Sequence, residues 1–505
     1  MGADAHVGLR LTKDLVWRRK VIVEDWMGDQ GVARGLGGPP HKDLGVRPTR
    51  TWGAAPHTGW RLNRMPNDST RRTFLAAGSV LPLTARSYAR ILGANDRLQI
   101  GQIGCGHRAQ GHRQMLKASS KTDPNFDLRS VCDLWSVNRE RAAADVQRLF
   151  GARPKTFQYS EEMLADASLD AVMLGTGDHQ HARLLAEVVR AGKDCYCEKP
   201  MANTLDDAKL ARDAVRETKR VVQMGSQWLS CPYQHKVRDM IREGKLGKLV
   251  SISQSWNFNG PRWDVPKSAD IAALREADTD WKRWLMGRPW RAFDPRVYFE
   301  FRIFKEFSGG ITDQWYSHGS GLAHFYLDTF MPDDTVANGG IFAWHDVREN
   351  PDTFQCLSTF TQKEVLYSYA TTFGNAYGDH TILRGTRGTL YSPGGEGSPQ
   401  WWYLPETSSG WESNSVFDLR AGKVKPEAVT LPGRPEVPPL EQSDDLKDHT
   451  DDWLSCIRSR KTPNGNIDTG FAHAVAVVMA NRAYREGKKM FWDRKAEQIL
   501  DQPPA

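Results

Sequence analysis

No stretch of this chain approaches the ~20 uninterrupted apolar residues of a membrane-spanning helix, so no span is expected. Cysteine is scarce: seven in 505 residues do not make a disulfide framework. Cys195 and Cys197 form a C-x-C pair, but no second pair at metal-ligand spacing accompanies it. Alternation puts both thiols on one face of a strand, which reads as packing, and no metal is expected. An excess of one charge is also missing from most of the chain. Residues 1–95 hold 15 Lys/Arg against 7 Asp/Glu, whereas the remaining 410 residues hold 53 against 54. The basic surplus belongs to the leader, and the body carries no bulk sign of a nucleic-acid partner. No internal repeat is visible. The length fits two or three domains with a large core.

What is present begins with the leader. Residues 1–64 are rich in Gly, Pro, Arg and Trp and lack sustained periodicity; they read as disordered or as untranslated. Met65 then opens "MPNDSTRRTFLAAGSVLPLTARSYA". A short polar region, the Arg71-Arg72 pair, a modest apolar stretch and Ser87-Tyr88-Ala89 as a small-residue cleavage site follow in order. Residues 65–95 thus resemble a twin-arginine (Tat) export signal with its linker. A periplasmic location follows if the signal is used, a cytoplasmic one if it is not. Pro82 and Arg86 interrupt the apolar stretch, and an amphipathic N-terminal helix with a chance Arg pair is the competing reading.

After the leader, Leu98, Ile100 and Ile103 make a short apolar strand that runs into Gly104-Cys105-Gly106-His107-Arg108-Ala109, a G-x-G-x-x-A loop. The first Gly permits a tight turn, and the second lets backbone approach a pyrophosphate. The small third residue lets a helix pack on the strand, with its N-terminal amides toward the phosphates. "FDLRSVCDLW" gives a second strand ending at Asp133, placed to bond a ribose 2′-hydroxyl. An acid there repels a 2′-phosphate, so NAD is favoured over NADP. A solvated strand-end carboxylate is the other reading of Asp133. Strands at 171–174 and 194–197 flank a helix at 182–191, and Thr204 caps the amphipathic helix that follows. "VVQMGSQ" gives another strand. The alternation predicts a doubly wound parallel sheet, an α/β Rossmann fold, with ligands at the carboxyl ends of its strands. There lie Gly104, Gly106, His107, Arg108, Asp133, Thr176, His179, His181, Glu198 and Lys199, the candidate cofactor residues.

"GQIGCGHRAQGH", "VCDLW", "GTGDHQHA", "CYCEKPMA", "WKRWLMG", "SGGITDQWYSH" and "GTRGTLYSP" together resemble the Gfo/Idh/MocA oxidoreductases, the family of glucose–fructose oxidoreductase and inositol dehydrogenase. The resemblance runs over nearly the whole body. It implies an N-terminal Rossmann domain, here 96–227, and a C-terminal α/β domain with an open, mostly antiparallel sheet and C-terminal helices, here 228–505. It also implies hydride transfer between a nicotinamide ring and a sugar or cyclitol carbon, with Lys199 as active-site lysine and Asp313 and His318 as a downstream pair. A neutral His can accept a hydroxyl proton, an Asp can fix its tautomer, and an ammonium can hold the substrate oxygen. "DQWYSH" departs from the family, which spaces its Asp and His four apart; here they are five apart, and Gln314 holds the four-apart place. Five residues of a regular α-helix rotate roughly 140°. Either Asp313 precedes the helix, or a bulge re-aims it, or Gln314 has taken the orienting role.

Residues 228 to 440 are rich in aromatics, among them Trp228, Trp256, Phe258, Trp263 and Trp315, which suit sugar C–H faces. Trp281 and Trp284 in "DWKRWL" read as core packing. "TVANGGIFAW" and "VLYSYATTF" alternate like strands of a sheet with one covered face, and the proline-rich 393–440 stretch reads as a long loop. Partners are then a sugar or cyclitol substrate and a second copy of the chain in a dimer or tetramer. Three functions compete. The first is an NAD(P)-dependent oxidoreductase of sugars, glycosides or cyclitols. The second is redox-neutral glycoside cleavage through transient C3 oxidation, argued against by Glu-Lys-Pro at 198–200. The third is a non-catalytic NAD-binding regulator, which would be expected to lack the Lys/His set.

Overall fold

The structure is a computed structural model and describes residues 97–265, 268–329, 331–395, 397–406, 425–433 and 445–504. The leader and export-signal readings lie outside the described residues. Six strands form the first sheet: β1 (Leu98–Ile103), β2 (Phe126–Cys132), β3 (Lys155–Phe157), β4 (Ala171–Leu174), β5 (Asp194–Cys197) and β6 (Val222–Met224). All neighbours pair in parallel, in the order β3-β2-β1-β4-β5-β6. The order reverses between β1 and β4, and such a crevice at the strand ends is where open α/β sheets bind ligands. The sheet is covered on both faces, so its central strands carry continuous apolar runs: every residue of β4 is buried. In β5 the period of two sends Cys195 and Cys197 into one core and Tyr196 into the other, as the C-x-C reading anticipated.

Helices α1 (His107–Ser119), α2 (Ser136–Phe150), α3 (His181–Arg190) and α4 (Leu205–Thr218) make the crossovers. Thr204 caps α4 as expected, its Oγ1 accepting from the Asp207 amide at 3.3 Å, with Asp206 and Asp207 in the first turn. Two stretches lie within the second half, after its first sheet strand. One carries the short helices α5 (Trp281–Leu285) and α6 (Pro295–Glu300). The other carries a π-turn at Thr312–Tyr316 that runs straight into α7 (Ser317–Leu327).

The second sheet contains β7 (Leu249–Ser255), β9 (Asp334–Gly340), β10 (Thr353–Phe360), β11 (Val365–Thr372), β13 (His380–Gly385) and β14 (Gly388–Ser392). β15 (Trp402–Pro405), β16 (Glu427–Ala428), β17 (Met490–Asp493) and β18 (Gln498–Leu500) complete it, while β8 (Phe258–Asn259) and β12 (Gly374–Asn375) pair separately. It is antiparallel except where β11 runs parallel to β7. The 393–440 stretch is therefore more than a loop: β15 and β16 extend the sheet edge, a pairing that short, proline-flanked strands do not announce.

Helices α8 (Asp445–Ser459) and α9 (Ile467–Glu486) close the chain. Trp453 and Leu454 of α8 pack with Leu98, Ile100 and Tyr196 on the first sheet. Helix α9 is buried along most of its length, as a helix apolar all round must be. Phe471, Val475 and Met479 enter the core of β4 and β5, while Ala476, Val477 and Ala480 enter that of the second sheet. One helix thus belongs to both cores. Met479→Ala should then cost about 2–5 kcal/mol, and urea unfolding followed by fluorescence and by far-UV circular dichroism should still show one coincident transition. Separate transitions would show that the two cores unfold independently.

Candidate active site

The first element of the site is the glycine loop. Gly104 holds φ at +81°, and a Cβ there would lie 2.6 Å from the Gly175 carbonyl oxygen. A Cβ on Gly106 would instead meet nothing within 4 Å, so the loop leaves open space in front of it. Helix α1 starts there with no side-chain cap, which leaves its first amides to an anion. His107 is exposed at its first position. Thr176, beside Gly104, has a buried Oγ1 with no partner among the described residues. A donor cradle, open space and an orphaned hydroxyl fit a dinucleotide pyrophosphate.

Asp133 ends β2 beside this loop. Its Oδ2 accepts from the Cys105 amide at 2.7 Å and its Oδ1 from the Trp135 amide at 2.9 Å. It therefore pins the glycine loop, a structural duty that the sequence reading did not assign, at the strand end where that reading expects the ribose. Burial raises its pKa, and these amide bonds oppose the rise.

Glu198 lies at the end of β5, buried, and accepts from Arg108 Nε at 2.7 Å and Gln227 Nε2 at 3.0 Å, with His112 Nε2 also at 3.0 Å. Burial favours the neutral acid, but Arg108 and His112 outweigh it and hold the carboxyl well below its usual range. Arg108 and Glu198 are thus partners of each other. A Cβ on Gly225 would come within 2.6 Å of the Glu198 carboxylate, so only glycine leaves room for it.

Lys199 follows, and its Nζ donates to the backbone oxygen of Gln314 at 2.7 Å and to Gln314 Oε1 at 3.2 Å. Gln314 Nε2 in turn donates to Asp178 Oδ2 at 2.6 Å, which also accepts from Ser308 Oγ at 2.6 Å. Burial lowers the Lys199 pKa to about 8, against the opposing pull of Glu198 and Asp178. Among the described residues two of the three ammonium protons are engaged.

The π-turn settles where the extra residue of "DQWYSH" goes. An i→i+5 turn holds one residue more than an α-turn, so a five-residue spacing is accommodated without breaking the helix. Asp313 nevertheless does not orient His318. Its Oδ2 accepts from the Gly309 amide at 2.7 Å and its Oδ1 from Asn481 Nδ2 of α9 at 3.2 Å. Gln314 takes the place beside Lys199. Burial, then the nearby Asp178 charge, pushes Asp313 up to about 7.

His318 sits with its ring 4.4 Å from Trp228, and no side-chain hydrogen bond to it occurs among the described residues. Burial, then the Lys199 charge, keeps it well below the usual histidine range and hence neutral. His179 and His181 differ. His179 pairs with the Trp284 carbonyl at 2.9 Å and burial lowers it to about 3; His181 Nδ1 pairs with the Pro200 carbonyl at 2.8 Å. One nitrogen of each ring is thus engaged by backbone, while His179 Nδ1 and His181 Nε2 are buried with no partner among the described residues. Trp256 stacks on Trp315 at 4.5 Å, and Arg262 lies over the rings of Phe258, Trp263 and Trp315. Trp281 and Trp284 are buried and stacked, as expected. Sequence reasoning missed Asp178 and Ser308; the only signal for Asp178 was its place inside "GTGDHQHA".

Residues 98–226 match the model of the Gfo/Idh/MocA oxidoreductase family, NAD-binding Rossmann fold. The chain is 27% identical over 207 residues to inositol 2-dehydrogenase/D-chiro-inositol 3-dehydrogenase of Lactiplantibacillus plantarum, covering 39% of this chain and 56% of that protein. It is 29% identical over 206 residues to levoglucosan dehydrogenase of Pseudarthrobacter phenanthrenivorans, covering 38% and 52%. The matched stretch is thus only about half the length of these relatives. Among solved structures, levoglucosan dehydrogenase in complex with NADH and L-sorbose superposes with a TM-score of 0.60 at 16% identity, over 81% of this chain and 100% of that one. That likeness shows the fold. No helix among the described residues is long and apolar enough to cross a membrane.

The raised Asp313 pKa has a stability consequence. The folded state binds a proton that the unfolded state has released, so stability falls as pH rises from about 4 to about 7. Asp313→Asn should remove that slope, and its advantage over the parent should be largest above pH 7. Urea midpoints at pH 5 and pH 8 measure it; an unchanged slope would show Asp313 ionised throughout.

Proposed function

We propose, for a chain that belongs through residues 98–226 to the NAD-binding Gfo/Idh/MocA oxidoreductases, that it transfers hydride between a nicotinamide dinucleotide and a hydroxyl-bearing carbon of a sugar, glycoside or cyclitol. Residues 96–227 hold the dinucleotide and residues 228–505 the substrate. The observation that carries this reading is the meeting of two groups from the two halves. Lys199 is fixed by Gln314 with a proton to spare, and His318 stands near it, neutral and without a hydrogen-bond partner among the described residues.

When bound, the nicotinamide supplies the hydride acceptor or donor. The chain supplies the rest. The His318 ring takes the hydroxyl proton of the alcohol, or returns it in reduction. The Lys199 ammonium holds the same oxygen and stabilises its alkoxide character. Gln314 positions Lys199, and Asp178 positions Gln314. Trp228, Trp256 and Trp315 offer apolar faces to the substrate and exclude water from the neutral imidazole.

Lys199→Ala and His318→Ala should each lower turnover by about a hundredfold or more while leaving NAD affinity near normal. Near-normal turnover in His318→Ala would sink the assignment. Gln314→Ala should damage turnover more than Asp313→Asn, and should shift the alkaline limb of the pH profile. That limb is set by loss of the Lys199 proton, so turnover should fall as pH rises through about 8. Aglycone release from a glycoside without added oxidant would instead support redox-neutral cleavage.

The export reading belongs to the same proposal. A Tat route carries folded proteins, so an enzyme working where NAD is scarce would leave the cytoplasm with its cofactor already bound. Mass spectrometry of protein from its native host should then find no peptide from residues 1–64, and near-stoichiometric NAD(H) should survive gel filtration. Leader peptides in mature protein, or a freely exchanging cofactor, would overturn this part.

A further inference from the structure

Three of the donors to Asp133, the amides of Cys105 and Trp135 and the side chain of Asn138, come from the first half of the chain. The fourth does not. Tyr298, on α6, donates its hydroxyl to Asp133 Oδ1 at 3.4 Å across 165 residues of sequence. Its ring lies on Trp284 at 5.4 Å and edge-on to Phe299 at 5.2 Å, and Phe299 meets Trp135 at 5.4 Å. The helix is fixed at its start: Pro295 occupies the first turn, and Asp294 Oδ1 accepts from the Arg296 amide at 2.8 Å. Trp284 is fixed from below, its carbonyl accepting from Gln180 Nε2 at 2.7 Å and standing 2.9 Å from His179 Nε2. Leu134, next to Asp133, packs into the same small core as Trp284, Val297 and Phe301. Tyr298 is therefore held rigidly over the carboxylate that stands at the ribose position.

We propose that Tyr298 is a specificity-determining residue for the dinucleotide, closing from the second half of the chain the space beside Asp133 that a ribose 2′-phosphate would need. The proposal rests on the reading of the glycine loop and Asp133 as a dinucleotide site. Charge repulsion at Asp133 is a weak sole device here. The carboxylate is part-buried and already satisfied by two amides, so a phosphate could be countered by local rearrangement. A rigid ring in the way adds a steric penalty that falls on NADP and spares NAD. A bare 2′-hydroxyl can exchange with the long Tyr298 bond; a phosphate cannot fit without displacing the ring.

The test is binding, read by NADH and NADPH fluorescence titration of the full chain. Tyr298→Leu keeps an apolar side chain against Trp284 and removes the far end of the ring. It should narrow the NADH-over-NADPH preference by on the order of tenfold, mostly through tighter NADPH binding. Tyr298→Phe keeps the ring and should hold the preference within about twofold of the parent. An unchanged preference in a folded Tyr298→Leu protein overturns the proposal, as does a Tyr298→Phe protein that loses preference as far as Tyr298→Leu does. If the parent binds neither nucleotide, the dinucleotide reading itself falls, which these variants cannot mimic. Thermal melts of all three proteins separate lost folding from changed selectivity.

Discussion

The bond from the Lys199 ammonium to the Gln314 carbonyl, 2.7 Å long, is the contact around which the site is arranged. It joins the end of a Rossmann strand to a π-turn of the other half. Each end demands preparation. On the strand side an ammonium must be held in a partly buried place beside other cations, and burial alone works against it. The adjacent Glu198 supplies the compensating charge, and Glu198 is itself tolerable only because Arg108, His112 and Gln227 converge on it. Gly225 then has to lack a side chain, because the carboxylate occupies the space a Cβ would fill. A single lysine thus fixes the identities of several residues that never touch it.

On the other side the demand falls on backbone. A π-turn loosens the helical ladder and leaves carbonyls short of donors. Here the Asp313 carbonyl accepts from Ser317 Oγ at 2.7 Å and the Gln314 carbonyl from Lys199. The lysine and the turn's carbonyl thus hold one another in place. The turn is further held by α9, where Asn481 Oδ1 accepts from Thr312 Oγ1 at 2.7 Å and its amide reaches Asp313. Because α9 is buried in both cores, the geometry of the lysine inherits the rigidity of the whole body.

Local patterns were legible in the sequence where local physics decides them. The glycine loop, the strands at 171–174 and 194–197, the Thr204 cap and the packing of Cys195 and Cys197 each follow from short-range periodicity or turn chemistry. The family resemblance pointed to Lys199 and His318, which the proposed function takes up. What could not be read was the choice among three fates for Asp313 and Gln314. That choice depends on Asn481, Asp178 and Lys199, which lie more than a hundred residues away along the chain. The same holds for His179 and His181. Their position in the loop gave no sign that Trp284 and Pro200 would each hold one ring nitrogen and leave His179 Nδ1 and His181 Nε2 buried without a partner among the described residues. The edge strands at 402–405 and 427–428 were hidden for a related reason, since their pairing is with each other and with β14 across intervening turns.

The stretch from Trp281 to Phe307 shows how a second half can act on a Rossmann site without supplying chemistry. It builds its own small core of Trp281, Trp284, Val297, Phe301 and Phe307. It is also tied to the first half at several points, among them Asn203 Nδ2 to the Phe307 carbonyl at 2.9 Å and Arg183 Nη1 to the Met286 carbonyl at 3.0 Å. These bonds run to backbone oxygens, so they fix the path of the chain more than the identity of its side chains. A strap fixed in this way can place a ring such as Tyr298 with little freedom. It can also shield the loop from water, which strengthens the electrostatics around Glu198 and Lys199. The strap therefore touches both ends of the proposed site: the Tyr298 hydroxyl reaches Asp133, and the Arg302 charge adds to burial in lowering the Lys199 pKa.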